Sequence, residues 1–202
     1  MGKKELSNRL NWENVSGKKA AKAEQNLYEV FNEAFEGTIY KLHEKPVHLK
    51  NLYSNVKLSK EVLEQIYNPA IDYKNTAWGV FPDFAIENTK TNKILFGEIK
   101  RQDGWVEGKD PSAGRGNAHE RLCKFFTPGL LKKYREVGGI KDKDILPFWV
   151  VFEGDITRDP KRVREITFWF DKYKNNFFMW RPKMTGIELL QHFEKYLKKY
   201  LD

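Results

Sequence analysis

Residues 79–100 read GVFPDFAIENTKTNKILFGEIK. Two apolar runs, Gly79–Glu87 and Lys93–Lys100, flank the turn-forming Asn88-Thr89-Lys90-Thr91-Asn92, and the stretch predicts a β-hairpin. Side chains alternate along a strand, so Glu98 and Lys100 share one face while Leu95 and Ile99 share the other. With the hairpin centred between Lys90 and Thr91, Asp83 stands directly across from Glu98. Directly opposed residues have Cβ atoms roughly 4.5–5.5 Å apart. Two carboxylates that close repel each other unless a positive charge lies between them. A hard divalent cation meets that need, and oxygen donors with several retained waters suit Mg²⁺. The main-chain carbonyl of Ile99 offers a further ligand, and Lys100 is placed to orient or deprotonate a cation-bound water. The same residues are also compatible with an ordinary hairpin bearing a surface salt-bridge cluster. What favours chemistry is their setting among Phe84, Ile86 and Phe96, where ionisable groups are costly to keep.

Outward from the hairpin, helices precede and follow the strands. Leu27, Val30, Phe31 and Ala34 recur at helical spacing over residues 18–36, and Gly37 can end that helix. A second helix is expected over 59–67, capped by Ser59 and stopped by Asn68-Pro69. Residues 118–126 and 129–136 read as helical pieces broken near Pro128-Gly129. Ile145–Phe152, Ile166–Phe170 and Asn176–Trp180 read as further strands. Thr185 and Glu188 form a capping box for a last helix with Leu190, Phe193 and Leu197 on one face. This order of elements predicts an α/β fold, a mixed β-sheet flanked by helices.

The 202 residues suffice for one domain with a real core, 1–202, in which the polar residues 1–17 are expected to be loosely held. A formal net charge of +8 favours a polyanionic partner, although a lysine-rich solvated surface gives the same number. The single cysteine, Cys123, fits a reducing cytoplasm. No apolar run approaches membrane-spanning length, and the start Met-Gly-Lys-Lys-Glu lacks the apolar region of an export signal.

Immediately after Lys100 comes a basic segment punctuated by Gly104, Gly108, Gly114 and Gly116. Glycines let the backbone approach a ligand closely. Arg115 between two of them has the fork that pairs with guanine O6 and N7, and Asn117 can bond adenine N6 and N7 in the same two-pronged way. Glu120 can accept from exposed base amino groups, Arg121 can donate to N7 atoms, and Ala118 is small enough to meet a base edge. Asn117 and Glu120 also have the spacing of a helix capping box, with Leu122, Phe125 and Phe126 as the buried face behind it. His119 reads as a packing or solvent residue. Arg158, Lys161, Arg162 and Arg164 form a basic cluster that suits either phosphates or a solvated loop. Glu87 reads as a solvated acid at a strand end. Trp78, Trp105, Trp149, Trp169 and Trp180 read as core or interface residues.

At these residues the chain resembles type II restriction endonucleases of the PD-(D/E)XK superfamily. Pro82-Asp83 and Glu98-Ile99-Lys100 match the active-site pattern. Gly116-Asn117-Ala118-His119-Glu120-Arg121 resembles the EcoRI-like motif Gly-Asn-Ala-Ile-Glu-Arg, departing from it at His119. The resemblance implies a homodimer on palindromic double-stranded DNA and Mg²⁺-dependent hydrolysis of both strands leaving 5′ overhangs. Asp83, Glu98 and Ile99 would hold metal, with Lys100 assisting the water. Asn117, Ala118, Glu120 and Arg121 would address an inner AATT, and Arg115 the guanine of an outer pair, giving CAATTG. Two other functions share parts of this pattern: a structure-specific or repair nuclease on the same catalytic core, and a DNA-binding module without catalysis. The intact acid–acid–lysine set disfavours the second of these, and the base-reading segment the first.

Overall fold

The computed structural model describes residues 18, 21–54, 56–66, 78–101 and 120–202. Its middle layer is a five-stranded mixed sheet in the order β1-β2-β3-β4-β5. β1 (Tyr40–Glu44), β2 (Phe84–Asn88) and β3 (Lys93–Arg101) form an antiparallel meander, and β4 (Phe148–Glu153) and β5 (Phe177–Trp180) continue parallel to β3. The α/β class expected from the sequence, a mixed sheet with flanking helices, is what forms.

The hairpin takes the expected register. Phe84 pairs with Gly97 and Asn88 with Lys93, which centres the turn between Lys90 and Thr91. The buried Asn88 side chain accepts from the amides of Lys90 and Thr91 at 2.9 and 3.3 Å, and Asn92 takes a positive φ of 57°. The end of the chain locks this turn from outside. Thr91 Oγ1 donates to the Leu201 carbonyl at 2.6 Å, Lys93 Nζ to the Asp202 carbonyl at 2.9 Å, and Asn88 Nδ2 to Asp202 Oδ1 at 3.1 Å. β2 starts at Phe84 rather than at Gly79. Residues 78–80 instead bond the loop before them, Tyr53 N to Trp78 O at 3.0 Å and Val80 N to Leu49 O at 3.1 Å, and Pro82 has no N–H to give a ladder.

Helices cover both faces. On one, α1 (residues 21–35) buries Ala23, Leu27, Tyr28 and Phe31 and ends at Gly37, whose φ of 70° suits glycine. Beside it lies α5 (Gly186–His192), opened by the capping box of Thr185 and Glu188 and prolonged through Phe193–Leu197, with Leu189, Phe193 and Leu197 buried. These pack on Phe84, Ile86, Leu95, Ile99, Trp149 and Val151. On the other face, α3 (Pro128–Gly138) and α4 (Pro160–Phe170) pack on Ala85, Ile94, Phe96, Phe148, Val150 and Phe152. The steps β3 to β4 and β4 to β5 move the same way across the sheet, so crossovers of one hand put both helices on one face. A short α2 (Lys60–Glu64) is capped by Ser59 as expected and buries no residue.

Other elements also differ from the sequence reading. Ile166–Phe170, expected as a strand, is the second half of α4. Its β-branched and aromatic residues favour strands locally, but Asp159 caps the amides of Lys161 and Arg162, and Pro160 occupies the first helical position. Ile166 and Phe170, four apart, then bury together. The edge strand β1 was not foreseen. β4 begins at Phe148, because the Asn176 amide engages the Leu146 main chain, at 3.1 Å from its N–H and 2.9 Å from its carbonyl.

Gly97 sets the packing beneath the site. It pairs with Phe84 on one side and Trp149 on the other. Those two rings meet edge to face at 5.9 Å, and a Cβ on Gly97 would lie 2.1 Å from Phe84 Cζ. Gly97→Ala is expected to lower stability by about 1–3 kcal/mol through overpacking, read as a drop in the denaturation midpoint. An unchanged midpoint would mean the Phe84 ring moves aside freely.

Candidate active site

Asp83 is the first residue before β2, and its main chain is held from two sides. Its carbonyl accepts from the Tyr28 hydroxyl of α1 at 2.8 Å and from the Lys45 amide at 3.0 Å. Burial, reinforced by the charges of Glu24, Asp83 and Glu44, holds the Tyr28 proton on, so the phenol stays a donor. Lys45 adopts a positive φ of 46° to present its amide, and its ammonium pairs with Glu24 at 3.1 Å. Thus anchored, Asp83 turns its side chain across to β3, where Oδ2 accepts the Ile99 N–H at 2.9 Å.

Glu98 and Lys100 lie on the same face of β3, at the end where the strand leaves its antiparallel partner and runs beside β4. Lys100 Nζ donates to Glu98 Oε1 at 2.5 Å, stands 3.5 Å from Asp83 Oδ2 and reaches the Ile99 carbonyl at 3.3 Å. One ammonium therefore bridges both carboxylates. The three predicted residues converge as the alternation and the register required.

Glu98 is the strained member. Its Oε2 is buried and has no hydrogen-bond partner. Burial raises its carboxyl above the usual carboxylate range. Lys100 opposes that shift, Asp83 adds to it, and the Lys124 ammonium opposes it more weakly. A buried acceptor without a donor is costly in a native structure. A cation is the natural partner for such an oxygen. With the Asp83 carboxylate and the Ile99 carbonyl, the donor set is all oxygen, which fits a hard divalent ion such as Mg²⁺. Among the described residues no cluster of three or more acidic, histidine or cysteine side chains forms a metal site, so the candidate site rests on two carboxylates and one carbonyl.

The base-reading candidates Arg115, Gly116, Asn117 and Ala118, with His119 and Trp105, fall outside the described residues. Glu120 and Arg121 open a 3₁₀ helix, Glu120–Phe126, within the helical piece expected over 118–126. Of the expected buried face, Leu122 and Phe125 are buried on the face of the sheet that carries Glu98 and Phe126 is partly buried, while the Asn117–Glu120 capping box, through Asn117, falls outside the described residues. Glu87, read as solvated, is partly buried and bonds His43 Nε2 at 2.6 Å. The basic cluster is partly self-neutralised, since Arg158 pairs with Asp155 at 3.3 Å and Arg162 with Glu165 at 2.8 Å. Trp149 and Trp180 are in the core, whereas Trp78 is exposed. Sequence reasoning missed Tyr28 and Lys45, which act on Asp83 from remote elements, and Lys124. Only Lys124 carried a signal, a lone cation just after the glycine-rich segment.

Fold and site together define a nuclease of the PD-(D/E)XK class, built on an antiparallel hairpin and a parallel crossover that meet at the acids. The chain belongs to the family of the type II restriction enzyme MunI, whose family model matches residues 1–202. The type II restriction enzyme MunI of Mycoplasma sp is 72% identical over 202 residues, covering 100% of both chains. The crystal structure of MunI restriction endonuclease in complex with cognate DNA matches with a TM-score of 0.81 at 71% identity, over 95% of this chain and 98% of that one. No helix among the described residues is long and apolar enough to cross a membrane.

Proposed function

We propose that this chain is a cytoplasmic, homodimeric restriction endonuclease that hydrolyses both strands of a palindromic DNA site with an AATT core, CAATTG in full, using Mg²⁺ and leaving 5′ overhangs. The observation that carries the reading is the convergence of Asp83, Glu98 and Lys100 around a buried carboxylate oxygen that has no partner. A twofold dimer suits a palindrome because each half-site meets an identical surface. The net charge of +8 suits a polyanion.

Asp83, Glu98 and the Ile99 carbonyl would hold the cation. Such an ion, when bound, makes water more acidic and neutralises charge developing on a phosphate. The protein supplies the rest. Tyr28 and Lys45 fix where Asp83 stands. Lys100, freed from sole duty between two carboxylates, orients the attacking water and donates to the phosphate oxygens on which charge grows. β3 runs straight from these residues into the base-reading segment, and Arg101 at its end pairs with Glu153 of β4. Glu98 and Lys100 are thereby tied through one short stretch of chain to Arg115, Gly116, Asn117, Ala118, Glu120 and Arg121, the proposed base-reading set.

Sequencing the ends of digestion products from plasmid DNA tests the proposal. One palindrome with 5′ extensions is expected; scattered ends, or cutting only at branched DNA, would overturn it. Arg115→Ala is expected to lose about 1–3 kcal/mol of discrimination at the outer guanine, measured as the ratio of cleavage rates on CAATTG and on sites changed at that pair. Equal weakening on every sequence would make Arg115 a phosphate contact instead.

A further inference from the structure

β3, β4 and β5 run parallel, so their C-terminal ends share one edge of the sheet, along which Arg101, Glu153 and Trp180 stand level. Glu98 and Lys100 lie at this edge. The chain beyond the strands is held close to it. The Gly154 N–H donates to the Trp180 carbonyl at 3.0 Å, which sets the exit of β4 beside the exit of β5. Ile156, fully buried in the cluster that includes Phe152, pins the turn that leads to Lys161 near the start of α4. After β5, the Met184 N–H donates to the Arg181 carbonyl at 2.9 Å and closes a turn over Arg181, Pro182 and Lys183. Ligands of open α/β sheets bind outside the carboxyl ends of the parallel strands.

The edge stays basic beyond the catalytic residues. Arg158 and Arg162 have the carboxylate partners already described, Asp155 and Glu165. Lys161, Arg181 and Lys183 are exposed, and among the described residues no acid pairs with them. Neighbouring strands stand roughly 4.8 Å apart, so the end of β5 is about 10 Å from the end of β3. One strand of DNA advances roughly 3.4 Å along the axis per nucleotide, so that span corresponds to about three nucleotides. Half of a CAATTG site is only three pairs long. From a phosphate held at Lys100, a step of that length away from the centre of the site leads into the flanking duplex.

We infer that Lys161, Arg181 and Lys183 form a contact surface for the backbone phosphates of the duplex that flanks the recognition site. The inference rests on the proposed reading of the chain as a nuclease on CAATTG, whose inner pairs belong to the base-reading segment after β3. Exposed cations without carboxylate partners are free to meet phosphates, the lysines as point charges and the arginine as a fork. Such contacts fix the register of a protein on the duplex and carry no sequence information. Each one also releases counterions, which steepens the salt dependence of binding.

Two variants of equal charge separate a located contact from the general attraction of a basic protein. One combines Lys161→Ala, Arg181→Ala and Lys183→Ala. The other combines Lys90→Ala, Lys195→Ala and Lys199→Ala, exposed lysines toward the opposite end of the sheet, where the last residues meet the hairpin turn. Affinity for CAATTG duplexes, with Ca²⁺ in place of Mg²⁺, is measured against salt concentration. One duplex carries about ten flanking pairs on each side of the site, a length ample for the expected three-nucleotide reach, and the other carries a single flanking pair. On the long duplex the edge variant is expected to lose about 2–3 from the slope of log affinity against log salt, about 0.9 for each contact removed. On the short duplex it should match the wild type, and the second variant should keep the wild-type slope on both. A wild-type slope for the edge variant on the long duplex would overturn the inference. So would an equal loss on the short duplex, or an equal loss in the second variant. Wild-type binding that fails to prefer CAATTG over a scrambled duplex would instead remove the reading of the chain, and the inference with it.

Discussion

Glu98→Gln is expected to abolish cleavage and, at neutral pH, to raise the melting temperature of the cation-free protein. The loss of activity follows from removing a cation ligand. The ion's stabilisation of transition-state charge is worth several kcal/mol, and each 1.36 kcal/mol is tenfold in rate, so the fall is about a thousandfold or more. The gain in stability follows from the Glu98 carboxyl's displacement above its ordinary value of 4.5. The folded chain holds that proton more tightly than the unfolded chain does. Stability is therefore lost as pH rises through the interval between the two values. The amide is a permanent stand-in for the protonated acid and escapes that loss. Lys100 keeps Asp83 at 3.5 Å and the Ile99 carbonyl at 3.3 Å as partners in the variant. Melting curves across the pH range check the sign: the variant's advantage should vanish below the ordinary carboxylate range and grow as pH rises above it. A variant less stable than the wild type at neutral pH would mean that the Lys100 ion pair outweighs the burial of Glu98.

Lys100→Met should separate the two duties of the ammonium. As a catalytic donor or base its loss costs about 10²–10⁴-fold in cleavage. As the bridge between Asp83 and Glu98, its loss leaves two facing carboxylates without a counter-charge. Removing one member of a fully buried pair costs about 3–5 kcal/mol, and less is expected here because the side chain retains 18% exposure. Mg²⁺ should then stabilise the variant more than the wild type, since the ion takes over the neutralising role, while cleavage stays low. Full restoration of cleavage by high Mg²⁺ would reduce Lys100 to a structural charge.

The sequence carried the hairpin and its register because both depend on local information. A turn-forming run lies between two alternating segments, and its centre dictates which residue faces which. Asp83, Glu98 and Lys100 were legible for that reason. The capping box at Thr185 and Glu188 and the break at Pro128 were legible on the same ground. β1 was missed because five residues, Tyr40–Glu44, give too brief an alternation, and its strand character comes from pairing with β2. Ile166–Phe170 misled because residue preference for strands was overridden by the cap at Asp159 and by burial at helical spacing. The Tyr28 and Lys45 contacts to Asp83, and the place of Tyr134 above Phe96, join segments far apart in the chain. No short-range pattern announces them.

On the proposed reading, Asp83, Glu98 and the Ile99 carbonyl hold a divalent ion beside Lys100. Anomalous diffraction from Mn²⁺ in crystals of the full chain with a CAATTG duplex tests it most directly. The expected result is a peak bonded to both carboxylates and to that carbonyl, one such site for each DNA strand, lost in Glu98→Gln. Manganese bound elsewhere on the protein, with these three oxygens left bare, would contradict it.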